Sequence, residues 1–82
     1  MEELEVSQFK IYPVPSSGKL HIEGEVKIER IELMDLMNKV VTESNGFLAD
    51  KDIDISSLPS GIYVLRIYKE AGKYENHRII KQ

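Results

Sequence analysis

Apolar residues recur at every second position in four stretches of the chain: Phe9 and Ile11, Leu20 and Ile22, Ile53 and Ile55, then Tyr63, Leu65 and Ile67. A period of two places such residues on one face of an extended backbone, so the pattern predicts short strands, each with one buried side. The stretch "IERIELMDLMNKVV" is the main rival, with apolar residues at 28, 31, 33, 34, 36 and 37. These make no clean helical stripe, and the stretch is read as strands. Leu4 and Val6 have the opposite parity to Phe9 and Ile11, which predicts a bulge or break at about Ser7 and Gln8. The same slip separates Val26 and Ile28 from Ile31 and Leu33, so a strand is expected from about Glu29 to Asp35, with Val26 and Ile28 as an irregular lead-in.

A turn around Asp35 to Asn38 leads into Lys39, Val40, Val41 and Thr42, a β-branched run that completes a hairpin. Asn45-Gly46 reads as the next turn, because both residues tolerate positive φ. Pro59, Ser60 and Gly61 suit the second, third and fourth positions of a β-turn. The strand beyond it carries Tyr63, Leu65 and Ile67 on one face and Ile62 and Val64 on the other, which suits the middle of a sheet. "KEAGK" closes a hairpin into a last strand, Tyr74 to Lys81. Six or seven short strands with turns roughly every ten residues make an all-β antiparallel sandwich.

With 82 residues the chain makes one domain near the lower size limit for folding without staples. It has no cysteine, which excludes a disulfide framework and a thiolate metal site. A net charge of -3 gives no basic footprint for phosphate neutralisation, so nucleic acid is not expected as a partner. The acids are dispersed apart from a mild cluster at Glu2, Glu3 and Glu5. No apolar run approaches a membrane span, and Met1 precedes acids where a signal peptide needs a basic start. The expectation is a cytosolic chain or a piece of a longer exported protein, with no export signal of its own.

"YPVPSSGKLHI" sets two prolines, two serines and a glycine between two apolar runs. Pro13 and Pro15 lack N–H donors and push Tyr12 and Val14 into extended backbone, so a strand ends there. Ser16, Ser17 and Gly18 then reverse the chain, Gly18 being free to take positive φ.

Reactive constellations are sparse. Asp50, Asp52 and Asp54 have the spacing that begins a calcium loop, yet Ile55 stands where that loop needs glycine and Gly61 where it needs glutamate. The carboxylates are read as one solvent face, and no metal or cofactor is expected. His21 and His77 lack a ligand pattern and are read as outward surface histidines. No G-x-S-x-G elbow or glycine-rich phosphate loop occurs, and the chain is not expected to be an enzyme. Val14, Met34, Met37 and Tyr68 are candidates for exposed apolar residues.

Four segments, "FKIYPVPSSGKLHIE", "IERIELMDLMNKVV", "IDISSLPSGIYVLRIY" and the final "HRIIKQ", follow in an order and spacing that resembles the type A C-terminal sorting domain of the type IX (Por) secretion system of Bacteroidetes. The resemblance covers Phe9 to Gln82, leaving residues 1–8 as a lead-in or linker remnant. It implies an immunoglobulin-like β-sandwich and a non-catalytic signal fused to a cargo protein. The implied partners are the outer-membrane translocon, its shuttle components and a surface sortase, with passage through the periplasm to the cell surface or medium.

The positions that match the family's motifs are Pro13, Pro15 and Gly18, then Asp35 and Lys39, then Gly61 and Tyr63. The terminal Arg78, Ile79, Ile80, Lys81 and Gln82 are implied as the recognised signal. Two departures stand out: Val14 replaces an asparagine between the prolines, and Met37-Asn38 replaces Asn-Gly before the hairpin lysine. The implied mode is strand addition at the edge of the last strand, with its cations steering towards an acidic groove. Edge strands also offer a route to a homodimer. A second reading, from another class, is a small immunoglobulin-like adhesion or ligand-binding module retained in the mature protein. With six aromatic residues and no tryptophan, the chain is poorly equipped to stack sugar rings.

Overall fold

The computed structural model describes residues 8–13, 15, 17–48 and 50–82. Two antiparallel sheets hold seven strands among these residues. The strands are β1 (Phe9–Tyr12), β2 (Lys19–Gly24), β3 (Lys27–Met34), β4 (Val40–Leu48), β5 (Lys51–Asp54), β6 (Gly61–Tyr68) and β7 (Tyr74–Lys81). A three-stranded sheet runs β1-β2-β5, and a four-stranded sheet runs β4-β3-β6-β7. Thus β6, apolar on both faces, does lie inside a sheet.

Alternation sets the inner faces, except on β3, where Ile28 and Ile31 are both buried across the slip expected between them. Phe9, Leu20, Ile22, Ile53 and Ile55 come from the smaller sheet and its exit, and Ile28, Ile31, Leu33, Tyr63, Leu65, Ile67 and Ile79 from the larger. They form one cluster, in which Leu20, Ile22, Ile31, Leu33, Leu65, Ile67 and Ile79 are wholly buried. Burying each such aliphatic side chain contributes about 1.5–3 kcal/mol, which is how a chain without cysteine holds together. Close packing also fixes Gly24: a Cβ there would stand 2.5 Å from Phe9 Cδ1 and 2.7 Å from the Gln8 carbonyl oxygen.

The Asp35 hairpin forms as predicted, with the Asn38 N–H bonded to Asp35 O and the Asp35 N–H to Lys39 O, both at 3.0 Å. Asn38 takes the left-handed conformation at φ 64°. Asparagine tolerates that region, so replacing glycine here leaves the turn intact. Asp35 Oδ1 accepts the N–H groups of Met37 and Lys39 at 2.9 and 3.0 Å, fixing the turn from its first residue.

Several expectations are corrected. Asn45-Gly46 is not a turn: β4 runs through it, and Asn45 pairs with Arg30. The partner strand β3 starts at Lys27, earlier than the slip implied, and its ladder outweighs the local turn preference, with Gly46 at φ 52° absorbing the distortion. Ile28 is therefore a strand residue opposite Phe47, and the register shift falls at Leu33/Met34. Val26 alone remains in the lead-in, half-buried against the core.

The hydrogen-bonded turn before β6 is Ile55–Leu58, closed by the Leu58 N–H on Ile55 O at 3.1 Å, rather than Leu58–Gly61. Gly18 does not use positive φ; its carbonyl accepts the Ile55 N–H at 2.7 Å, which ties it beside β5 in an ordinary conformation. Met34 is buried at 8% exposure, because it pairs with Val64 on one side and Val40 on the other. The expected break at Ser7 and the exposure of Val14 lie outside the described residues, as do Leu4 and Val6.

Candidate functional site

β7 is an edge strand, hydrogen-bonded to β6 from Gly61↔Lys81 to Tyr68↔Tyr74. Its opposite edge has no strand beside it among the described residues. Odd positions of β7 turn towards the core and even positions away from it, because Ile79 faces Tyr63 and His77 faces Leu65. Of the implied signal, Arg78 is exposed, Ile79 is wholly buried and Ile80 is 36% exposed opposite Ile62. Lys81 is buried, its ammonium donating to the Gln82 carbonyl at 3.1 Å, and Gln82 is exposed. The fold uses Lys81 as well as Ile79, more than the sequence reading allowed.

The other motif positions are spread over the fold and do not meet β7 as a group. Tyr12-Pro13 is a cis peptide, Pro13 and Pro15 are exposed, and β1 ends before them. Gly61 opens β6 at φ 157°, opposite Lys81. Tyr63 is buried at 6% exposure, and its hydroxyl donates to the Pro59 carbonyl at 2.5 Å, anchoring the approach to β6.

His77 is not outward; it shares the inner side of β7 at the margin of the core, half-buried. An edge strand overhangs the core there, and a polar partner compensates: His77 Nε2 lies 2.9 Å from Glu75 Oε1. Glu75 Oε2 also accepts the Gln8 N–H at 2.8 Å and the Lys69 ammonium at 3.1 Å. The carboxylate thus ties the last strand to the approach to β1 and to the β6–β7 hairpin.

A second polar cluster lies on the outer face of the smaller sheet. His21 on β2 has Asp52 Oδ1 2.6 Å from Nδ1 and Asp50 Oδ1 2.8 Å from Nε2. Hydrogen bonding to Asp52 first, then to Asp50, raises the His21 pKa above its ordinary 6.5. The Tyr12 ring lies 5.3 Å from the imidazole, and its hydroxyl donates to Glu23 Oε1 at 2.9 Å. That bond is the first cause holding the Tyr12 pKa above its ordinary value. Asp54 accepts the N–H and hydroxyl of Ser56 at 2.9 and 2.6 Å, which lowers its pKa. Asp50 and Asp52 are therefore not two more rungs of a plain solvent face: a histidine gathers them. The β2–β5 register, His21↔Asp52, is the signal that reveals this, and it follows once Leu20 is set against Ile53.

The outer face of the larger sheet was missed in sequence except for single residues. Across it lie rows set by strand register: Asn45, Arg30, Tyr68 and Tyr74; then Glu43, Glu32, Arg66 and Asn76. Arg30 stacks over the Tyr68 ring at 4.5 Å and Arg66 over the Tyr74 ring at 4.4 Å. Arg66 Nε donates to Asn76 Oδ1 at 2.9 Å, and the Tyr68 hydroxyl donates to Glu32 Oε1 at 3.1 Å. Tyr68 is half-buried by these contacts, while Met37 at the hairpin tip is 85% exposed.

The chain is similar to beta-agarase D of Zobellia galactanivorans, at 32% identity over 73 residues, which make 89% of this chain and 15% of the agarase. It thus spans a small part of that relative's length. The model of the secretion system C-terminal sorting domain matches residues 10–82, from β1 to the end of β7. The chain belongs to the secretion system C-terminal sorting domain family, non-catalytic domains that act as sorting signals for type IX secretion.

Proposed function

We propose that this domain is read by the export machinery at the open edge of β7, with residues 9–82 as the folded signal and 1–8 as its lead-in. The carrying observation is the position of β7 at the sheet margin, where a receptor strand can add by main-chain hydrogen bonds. Arg78 and Ile80 give such a receptor a cation and an apolar group, while Ile79 and Lys81 hold the strand in the sheet. The partners in this reading are the translocon, its shuttle components and a surface sortase, with an attached cargo carried through the periplasm to the outer membrane, cell surface or medium. The short share of the agarase that the chain matches supports its role as one module of a larger cargo protein.

The test is a reporter with a Sec signal fused to residues 1–82 in a type IX-competent bacterium. Two variants are compared with it, Ile80→Glu and one lacking Lys81 and Gln82, each checked for folding by thermal melting. Surface or medium delivery by the intact domain, with folded variants held in the periplasm, supports the edge reading. Equal delivery of all three refutes it.

A further inference from the structure

All three arginines of the chain, Arg30, Arg66 and Arg78, stand on the outer face of the four-stranded sheet, one on each of three adjacent strands. We propose, resting on the sorting reading above, that this face is a protein-docking surface whose arginines bind the carboxylates of an acidic partner around an apolar centre of Ile62, Val64 and Ile80. The surface shares Arg78 and Ile80 with the β7 edge but extends across β6 and β3, and it uses side chains projecting from the sheet, not the open main chain at its margin.

The guanidinium groups are arranged in advance. Stacking holds Arg30 on Tyr68 and Arg66 on Tyr74, and hydrogen bonds to Asn76 and Tyr68 fix the Arg66 fork on the face. Arg30 Nη2 is within 3.4 Å of Glu32, and Glu43 is the other carboxylate in that row, so these two rows hold two arginines and two acids, and Arg78 in the next row tips the balance to the cations. This excess stands out on a chain whose net charge is -3. Next to it, Arg78 pairs with Val64, Val64 with Met34, and Ile62 with Ile80. Val40 continues the apolar row at 41% exposure.

The division between the two cations identifies the class of partner. The chain's eight lysines supply none of the paired outward positions of β3, β6 and β7 described above. A surface for an anionic polymer or lipid headgroups draws on lysine and arginine alike, because it works mainly by charge. Packed protein interfaces instead enrich arginine and tyrosine and deplete lysine. Arginine, tyrosine and isoleucine on one face therefore favour an acidic protein surface.

The experiment uses the exported reporter fused to residues 1–82. Arg30, Arg66 and Arg78 are changed together to lysine, which keeps the charge and removes the planar fork; Lys10→Gln with Lys19→Gln is the control on the other sheet. The expected result is a fall in export of about tenfold or more for the arginine variant, as for interface hot spots, with melting and control export unchanged. A second arm leaves the arginines intact and places a photo-crosslinking phenylalanine at Val64. It is expected to capture a protein of the export machinery through an Asp- or Glu-rich surface.

Unchanged export of the lysine variant overturns the proposal, as does crosslinking to the reporter or to a second copy of the domain. Sedimentation of residues 1–82 with phosphatidylglycerol vesicles, undiminished in the lysine variant, would also overturn it in favour of a lipid surface. If the intact domain itself is not exported, the sorting reading fails and this proposal falls with it; export of both intact and variant domains sinks the docking face alone.

Discussion

Ile79 and Ile80 are neighbours in sequence and opposites in environment: Ile79 faces Tyr63 with no exposed surface, and Ile80 faces Ile62 at 36% exposure. Ile79→Ala is expected to lower stability by about 2–5 kcal/mol, the cost of a cavity among fully packed side chains. Ile80→Ala, which opens no enclosed cavity, is expected to cost less than about 1 kcal/mol. Urea unfolding separates the two, and similar shifts in midpoint would show that Ile80 is a second core residue. Export assays then have a clean variant in Ile80→Ala, whereas a defect in Ile79→Ala reports folding.

Ala71 sits at φ 62° and Gly72 at φ 73° in the 3₁₀ turn Glu70–Gly72 between β6 and β7. The left-handed region costs a non-glycine residue about 1–2 kcal/mol. Glycine removes that cost but gives back about 0.5–1 kcal/mol through the freedom of the unfolded chain. Ala71→Gly is therefore expected to stabilise the domain by about 0.5–1 kcal/mol, read as a higher denaturant midpoint at constant slope. A lower midpoint would mean that the alanine is unstrained in solution.

The strands and the core were legible because alternation is a local signal: Leu20 with Ile22, and Leu65 with Ile67, declare their faces without knowing their partners. Pairing was not local. Asn45-Gly46 reads as a turn in isolation and becomes strand because Arg30 and Ile28 extend the ladder opposite it. His21 looked solitary because its two carboxylates come from residues 29 and 31 positions later. The arginine face shares this character, since Arg30, Arg66 and Arg78 become one surface only after β3, β6 and β7 are laid side by side. The terminal strand was placed by its pattern, yet the role of Lys81 in the fold emerged only from its burial.

Gly24 approaches Phe9 and the Gln8 backbone more closely than any Cβ permits. Gly24→Ala is expected to destabilise by about 1–3 kcal/mol, because the Gln8 carbonyl is main chain and Phe9 is a core anchor. The Gln8–Glu75 hydrogen bond should loosen with it, giving faster amide exchange at Gln8 in the variant. Unchanged stability would show that β1 can shift without loss.

Tyr63 places its hydroxyl on the Pro59 carbonyl while its ring fills the core. Tyr63→Phe keeps the ring and orphans the acceptor, an expected loss of about 0.5–1.5 kcal/mol. Thermal unfolding that matches the parent would mean that water replaces the hydroxyl at Pro59.

The His21 cluster predicts a pH dependence with a definite sign. Both ring nitrogens face carboxylates, Asp52 on one side and Asp50 on the other, so the imidazolium is the form the fold favours. A folded pKa raised above 6.5 means that the cluster's stabilisation is fully present below about pH 6.5 and is lost as pH rises through the folded value. The outer-face position leaves the cluster open to solvent screening, so the contribution is small and falls with added salt. His21→Gln is therefore expected to melt below the parent in mildly acidic buffer, with the gap closing in alkaline buffer. Ring-proton NMR of His21 should titrate above 6.5 and move down in Asp52→Asn, the partner that contributes most. A titration at or below 6.5 in the parent, or a stability gap that widens with rising pH, would show that the two aspartates do not hold the charged ring between them.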